Sequence, residues 1–181
     1  MHLPPADGRA GSGAPAAGVG PSATSQRSPR GDRLATLLAT WFGCGFFPKA
    51  PGTAGTIGAL PLYFLVSAGG PGAILATAFV VTVIGIWAAD RVAKRLGTHD
   101  PQIVCIDEVA GVLIALAAAP RTALGIVAAV VLFRVLDTWK PWPARTAERR
   151  LPGGLGIVLD DVLAGLWGAA ALLVARQLEL L

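Results

Sequence analysis

Charge is scarce in this chain. Of 181 residues, 15 are Lys or Arg and 11 are Asp or Glu, 14% in all against 54% hydrophobic, and the mean hydropathy is +0.62. That balance excludes an ordinary soluble globule and indicates one membrane-associated domain. Cysteine is nearly absent as well. Cys44 and Cys105 stand alone, with no CxxC or Cys/His spacing, so a disulfide framework and a zinc site are excluded and both read as small packing residues. The alternation of apolar and polar residues that marks a half-buried strand is missing throughout. The basic excess is also thin: beyond residue 33 there are eleven basic and nine acidic groups, scattered in small clusters, which excludes a nucleic-acid footprint but leaves a modest attraction to anionic lipid.

Residues 1–32 are rich in Gly, Pro, Ala and Ser and contain no apolar run of signal-peptide type. They cannot bury enough surface to offset ordering entropy and are expected to be a disordered tail. His2 lies in that tail and is set aside. Residues 33–181 are expected to form a single helical domain, beginning at an N-cap, Asp32, ahead of leucines at helical spacing. From Ala50 to Ala89 no residue is charged, and GlyGlyProGly at 69–72 divides this region in two. The second limb, Gly72 to Ala89, approaches the ~20 residues that span a bilayer. Residues 109–133 hold one charge, Arg121, directly after Pro120, and read as an interrupted span, a re-entrant hairpin or a buried helix pair. The expected fold is all-α, a membrane-embedded helical bundle with short, Gly/Pro-interrupted apolar helices.

The few acids that do occur are placed unevenly. Asp107/Glu108 and Asp160/Asp161 are adjacent pairs, each directly before an apolar run, and Asp137 lies three residues from both Arg134 and Lys140 on one helical face, ahead of Pro141 and Pro143. Charges at the edge of an apolar layer are costly unless paired or bound to a cation. Five carboxylates from three segments, if they converge, would repel one another without a cation between them, and Mg²⁺ is the natural hard, oxygen-seeking neutraliser. The bland alternatives are helix capping for Asp160 and surface ion pairing for Asp137.

Between residues 48 and 56 the stretch ProLysAlaProGlyThrAlaGlyThr offers an anion site. Lys49 brings a charge, Gly52 and Gly55 allow close backbone approach, Thr53 and Thr56 carry hydroxyls, and the helix that follows would present free N–H groups. It is no Walker A loop, because no GK[ST] closes it. His99, beside Asp100, is a candidate proton donor. An anion-binding loop, cations and a carboxylate-held metal together suggest phosphate ester chemistry in a membrane. The cysteine-phosphatase spacing, the DxDx[TV] motif and the histidine signature of metal-free lipid phosphatases are all absent. Attack by metal-activated water remains.

Four stretches also carry a family resemblance: FGCGFFPKAPGTAGT, THDPQIVCIDEVAG, FRVLDTWKPWP and GGLGIVLDDVLAG. In this order they resemble the motif blocks of phosphatidylglycerophosphatase A, over about residues 36 to 175. The resemblance implies a Mg²⁺-dependent phosphatase of the bacterial inner membrane, active on the cytoplasmic side, that removes the terminal phosphate of phosphatidylglycerophosphate to give phosphatidylglycerol. Asp107, Glu108, Asp137, Asp160 and Asp161 would then bind metal. Lys140 and His99 would join them in catalysis, and Arg134 with Lys49, Gly52, Thr53, Gly55 and Thr56 would hold the phosphate. Pro101 departs from the polar residue expected after HisAsp, and Cys44 replaces a small polar residue. Two other classes fit parts of the pattern: a small membrane cation transporter, which would want ionisable groups at mid-span, and a soluble metal-binding helical bundle.

Overall fold

The structure, a computed structural model, describes residues 29–180. All regular structure among them is helical. The elements are α1 (Pro29–Ala39), a single 3-10 turn (Cys44–Phe46), α2 (Pro51–Gly58), α3 (Leu60–Ser67), α4 (Gly70–Leu96), α5 (Ile106–Ala118), α6 (Ala123–Trp139), α7 (Ala144–Arg150) and α8 (Gly154–Gln177). Most of the expected tail, residues 1–28, lies outside the described residues. Residues 29–32 already belong to α1, so Asp32 sits inside the first turn instead of capping it, with its carboxylate 3.8 Å from Arg91 on α4.

Local chemistry sets the boundaries. Prolines open α2, α3 and α4 in the first turn, where a missing N–H costs nothing. Gly97, at φ 67, closes α4 in the left-handed conformation, and Thr122 caps α6 by accepting a hydrogen bond from the Gly125 amide at 3.0 Å. Pro120 separates α5 from α6, which resolves residues 109–133 into two helices.

Helix α5 is the axis of the bundle. Eleven of its thirteen residues are buried, and its length of about 20 Å is too short to cross a bilayer core. It packs most extensively on α8 and then on α4, with α6 and α2 completing its surround. The contacts fix directions. Gly111 meets Asp161 and Gly165 of α8, and Gly168 meets Ala115, so α8 runs parallel to α5. Gly85 of α4 meets Val158 while Gly154 of α8 meets Ile86 and Asp90, and Leu136 of α6 meets Gly168 while Lys140 reaches Asp160, so those two helices run back along α8 and α5. The chain ends of α4 and α6 and the starts of α2 and α5 therefore share one end of the bundle.

Helices α4 and α8, 27 and 24 residues, are each long and apolar enough to span a membrane. Their outward faces are apolar too: Leu75, Phe79, Val83 and Trp87 on α4, and Leu166, Trp167, Leu173 and Val174 on α8, are exposed. Leu124, Val127, Val131 and Val135 form a matching stripe on α6. A surface of this extent suits lipid rather than water.

Backbone contact between α5 and α8 occurs through Gly111 and Gly165. A Cβ at Gly165 would run into the Gly111 carbonyl, and one at Gly111 would strike the Asp161 carbonyl and the Phe133 ring. Small residues at such crossings let membrane helices approach closely. Gly165→Ala is expected to push the two helices apart and destabilise the protein by about 1–3 kcal/mol, read as a lowered melting temperature in detergent. Gly72→Ala, where a Cβ meets open space, should leave it unchanged.

Candidate functional site

At the shared end of the bundle, three separate contacts position the start of α5. The Cys105 amide donates to the Ala39 carbonyl at 2.9 Å, Gly45 lies flush against the Ile103 carbonyl, and Gly55 of α2 is pressed against Cys105. Cys105 is fully buried, and burial, with Glu108 nearby, pushes its thiol far up, which removes it as a nucleophile. The next turn then presents Asp107 and Glu108 into a cavity of about 330 Å³.

All five carboxylates singled out in the sequence line this cavity, together with Arg134, Lys140 and the first turn of α2 at Pro51 and Gly52. They divide into two groups. Oxygens of Asp107, Glu108 and Asp161 lie within 4.8 Å of one another, the spacing of a set that can hold a metal ion. Asp107 Oδ1 and Glu108 Oε2 are buried with no hydrogen-bond partner, an expensive condition that a cation would relieve. The other two acids are tied to cations. Arg134 reaches Asp137 at 2.7 Å, with Glu108 at 3.7 Å, and Lys140 Nζ reaches Asp160 at 2.6 Å.

Desolvation sets the electrostatics. Burial raises the Asp107 carboxyl to about 6, partly offset by hydrogen bonding with Glu108. Glu108 is raised well above its ordinary value, first by burial and then by the Asp107 charge.

Several residues sit differently from expectation. Asp160 and Asp161 are not at a helix start: α8 begins at Gly154, because Gly154 packs directly on the Ile86 carbonyl of α4, so the acids lie in its second turn. Asp160 thus caps nothing, and instead accepts from the Asp161 amide and from Lys140. Lys140 ends α6 in the left-handed conformation, φ 47, and is paired across the chain rather than with Asp137.

Gly52, Thr53, Gly55 and Thr56 lie on α2, not in a loop. Of the four, Gly52 alone lines the cavity, and a Cβ there would collide with Glu108. Thr56 is buried and donates to the Gly52 carbonyl at 2.9 Å, which takes its hydroxyl out of reach of an anion. Gly55 serves packing. Thr53 lines a neighbouring apolar groove. Lys49 and His99 are exposed, and neither lines the cavity. Asp100 and Gln102 line it instead. The HisAsp pair was visible in sequence, but nothing in it says which of the two neighbours turns inward.

Known proteins resemble this chain over most of its length. The family model for phosphatidylglycerophosphatase A matches residues 37–176. A phosphatidylglycerophosphatase A of Escherichia coli (strain K12) is 39% identical over 138 residues, 75% of this chain and 80% of that protein. One from Haemophilus influenzae is 37% identical over 133 residues, 72% of this chain and 82% of its own length. A Bacteroides thetaiotaomicron protein, provisionally named a phosphatidylinositol-3-phosphatase, is 41% identical over 154 residues, 79% of this chain and 94% of its own. No solved structure matches.

The raised carboxyls give a signed expectation. With divalent cations chelated, folded Asp107 takes up its proton near pH 6 and the unfolded chain near pH 4. The native state therefore binds more protons in that window, and stability rises as pH falls through it. The melting temperature of the chelated protein should increase from pH 7.5 to 5, and Asp107→Asn should weaken that dependence, with Glu108 left to carry the rest. Added divalent cation should reverse the slope, because it competes with protons for the same oxygens.

Proposed function

The chain belongs to the phosphatidylglycerophosphatase A family, and on that premise we propose that it hydrolyses the terminal phosphomonoester of phosphatidylglycerophosphate, releasing inorganic phosphate and phosphatidylglycerol. The observation that carries this reading is the convergence, in one cavity, of three closely spaced carboxylates and two positioned cations. The activities for which these relatives are named share one chemistry, a phosphomonoester on the headgroup of a phospholipid.

The residues present fit a divalent metal, and Mg²⁺ is the ion of choice for an all-oxygen set. Asp107, Glu108 and Asp161 would hold it. When bound, it supplies Lewis acidity towards the phosphoryl oxygens and makes water a better nucleophile at neutral pH. Arg134 and Lys140 face the same cavity, and hydrogen bonds from them to the non-bridging oxygens would strengthen as charge develops in the transition state. Asp137 and Asp160 act through them, holding each cation in place before the substrate arrives. Gly52 keeps the wall beside Glu108 free of a side chain, leaving room for a phosphate.

Membrane association follows from the long apolar helices and the family. We place the protein in the bacterial inner membrane with the acidic end towards the cytoplasm. Arg91, Lys94 and Arg95 at the end of α4, and Arg145 and Arg150 on α7, gather at that end, as expected for the cytoplasmic side. The clustering of ionisable groups at one end also favours an enzyme over a transporter, which would want them at mid-span.

Purified in detergent, the protein is expected to release phosphate from phosphatidylglycerophosphate, to lose that activity with EDTA and to recover it with Mg²⁺. Asp161→Asn or Glu108→Gln should abolish turnover, and Lys140→Gln should lower kcat by about 10²-fold or more. Activity that survives EDTA, or near-normal turnover in Asp161→Asn, would refute the assignment.

A further inference from the structure

Beside the acidic cavity lies a second one, of about 530 Å³, walled by Trp139, Lys140, Trp142, Arg145 and Arg150. Lys140 belongs to both. Among the described residues, the lining carries three cations and no carboxylate. The Arg145 guanidinium donates to the Trp139 carbonyl at 3.3 Å, which anchors it at the end of α6. Trp139 and Trp142 are 69% and 76% exposed. Exposed indoles next to cations are the usual furnishing of a lipid headgroup layer.

Position gives this pocket its meaning. Trp139 also lines an apolar groove of about 810 Å³, with Thr53, Val131 and Val135. The three are mutually adjacent: acidic cavity and cationic pocket share Lys140, cationic pocket and apolar groove share Trp139, and groove and acidic cavity share Arg134. A phospholipid with a phosphorylated headgroup has three parts to place in them: terminal monoester, internal phosphodiester and acyl chains.

Resting on the phosphatase reading above, we propose that the cationic pocket seats the internal phosphodiester of the lipid substrate through Arg145 and Arg150, so that the enzyme recognises two phosphates on one headgroup. Guanidinium groups suit this task because their paired N–H donors match phosphate oxygens. The diester does not react. It anchors the headgroup at a fixed distance from the scissile monoester, whereas inorganic phosphate competes from the acidic cavity, which neither arginine lines.

The test compares wild type with Arg145→Gln and Arg150→Gln in neutral detergent micelles, where the added lipid is the only anionic one. Three constants are read: KM for phosphatidylglycerophosphate, Ki for phosphatidylglycerol (a diester without the monoester) and Ki for inorganic phosphate. Each variant should raise the first two about tenfold, the loss of one charge-assisted hydrogen bond, and leave kcat and the phosphate Ki unchanged. Arg121→Gln, at the opposite end of the bundle, should move none of them. Unchanged phosphatidylglycerol inhibition, or equal shifts with both inhibitors, would overturn the proposal. Equally strong inhibition by phosphatidylserine, lost in the same variants, would overturn it too, by assigning the pocket to any neighbouring anionic lipid. Direct binding of short-chain phosphatidylglycerol, followed by tryptophan emission, needs no turnover. A wild type that binds it through Arg150 but releases no phosphate would sink the phosphatase reading and uphold the diester site.

Discussion

Like charges held together in a poorly solvated place are the constraint to which the rest of this molecule answers. Oxygens of Asp107, Glu108 and Asp161 come within 4.8 Å of one another, from two different helices, with part of their surface shut off from any partner. Left alone, such a group would spread or protonate. Spreading is prevented by backbone rather than by side chains: α5 and α8 touch through Gly111 and Gly165, and the start of α5 is pinned to Ala39, Gly45 and Gly55. Contacts of this kind have no rotamers through which to relax. Held in this way, the cluster could take a cation without first having to assemble.

The two remaining acids do another job. Asp137 and Asp160 each lie beside one cation, so Arg134 and Lys140 are oriented without being buried. A free lysine or arginine would spend its time in water, and ordering it on substrate arrival would cost side-chain entropy. Pairing each one beforehand moves that cost into folding.

Much of this was legible in the sequence because charge is so rare: five carboxylates in a chain this apolar drew attention to themselves, and they converge. Helical content and the break at 69–72 were equally plain. Other features depended on contacts distant in sequence. Gly, Thr and Pro between 51 and 56 have the composition of a loop, yet they form α2, since Gly55 against Cys105 rewards a helix there. The same holds for GlyGlyLeuGly at 153–156, whose first two glycines are needed for close approach to α4, so that Asp160 and Asp161 fall in a second turn. Lys140 found its partner twenty residues on, through a left-handed residue that no periodicity announces. His99 and Asp100 differ only in which way a short connection turns.

One consequence concerns sidedness. All the acids of the cavity and both of its cations gather where α4 and α6 end and α2 and α5 begin, while the opposite end of the bundle carries Pro120, Arg121 and Arg176, the last donating to the Ala118 carbonyl. With α4 and α8 crossing the bilayer as proposed above, an enzyme built this way would serve a single leaflet. A lipid on the far face of the bilayer is as remote from these groups as one in a different vesicle, and its headgroup would have to be carried across before anything here could act on it.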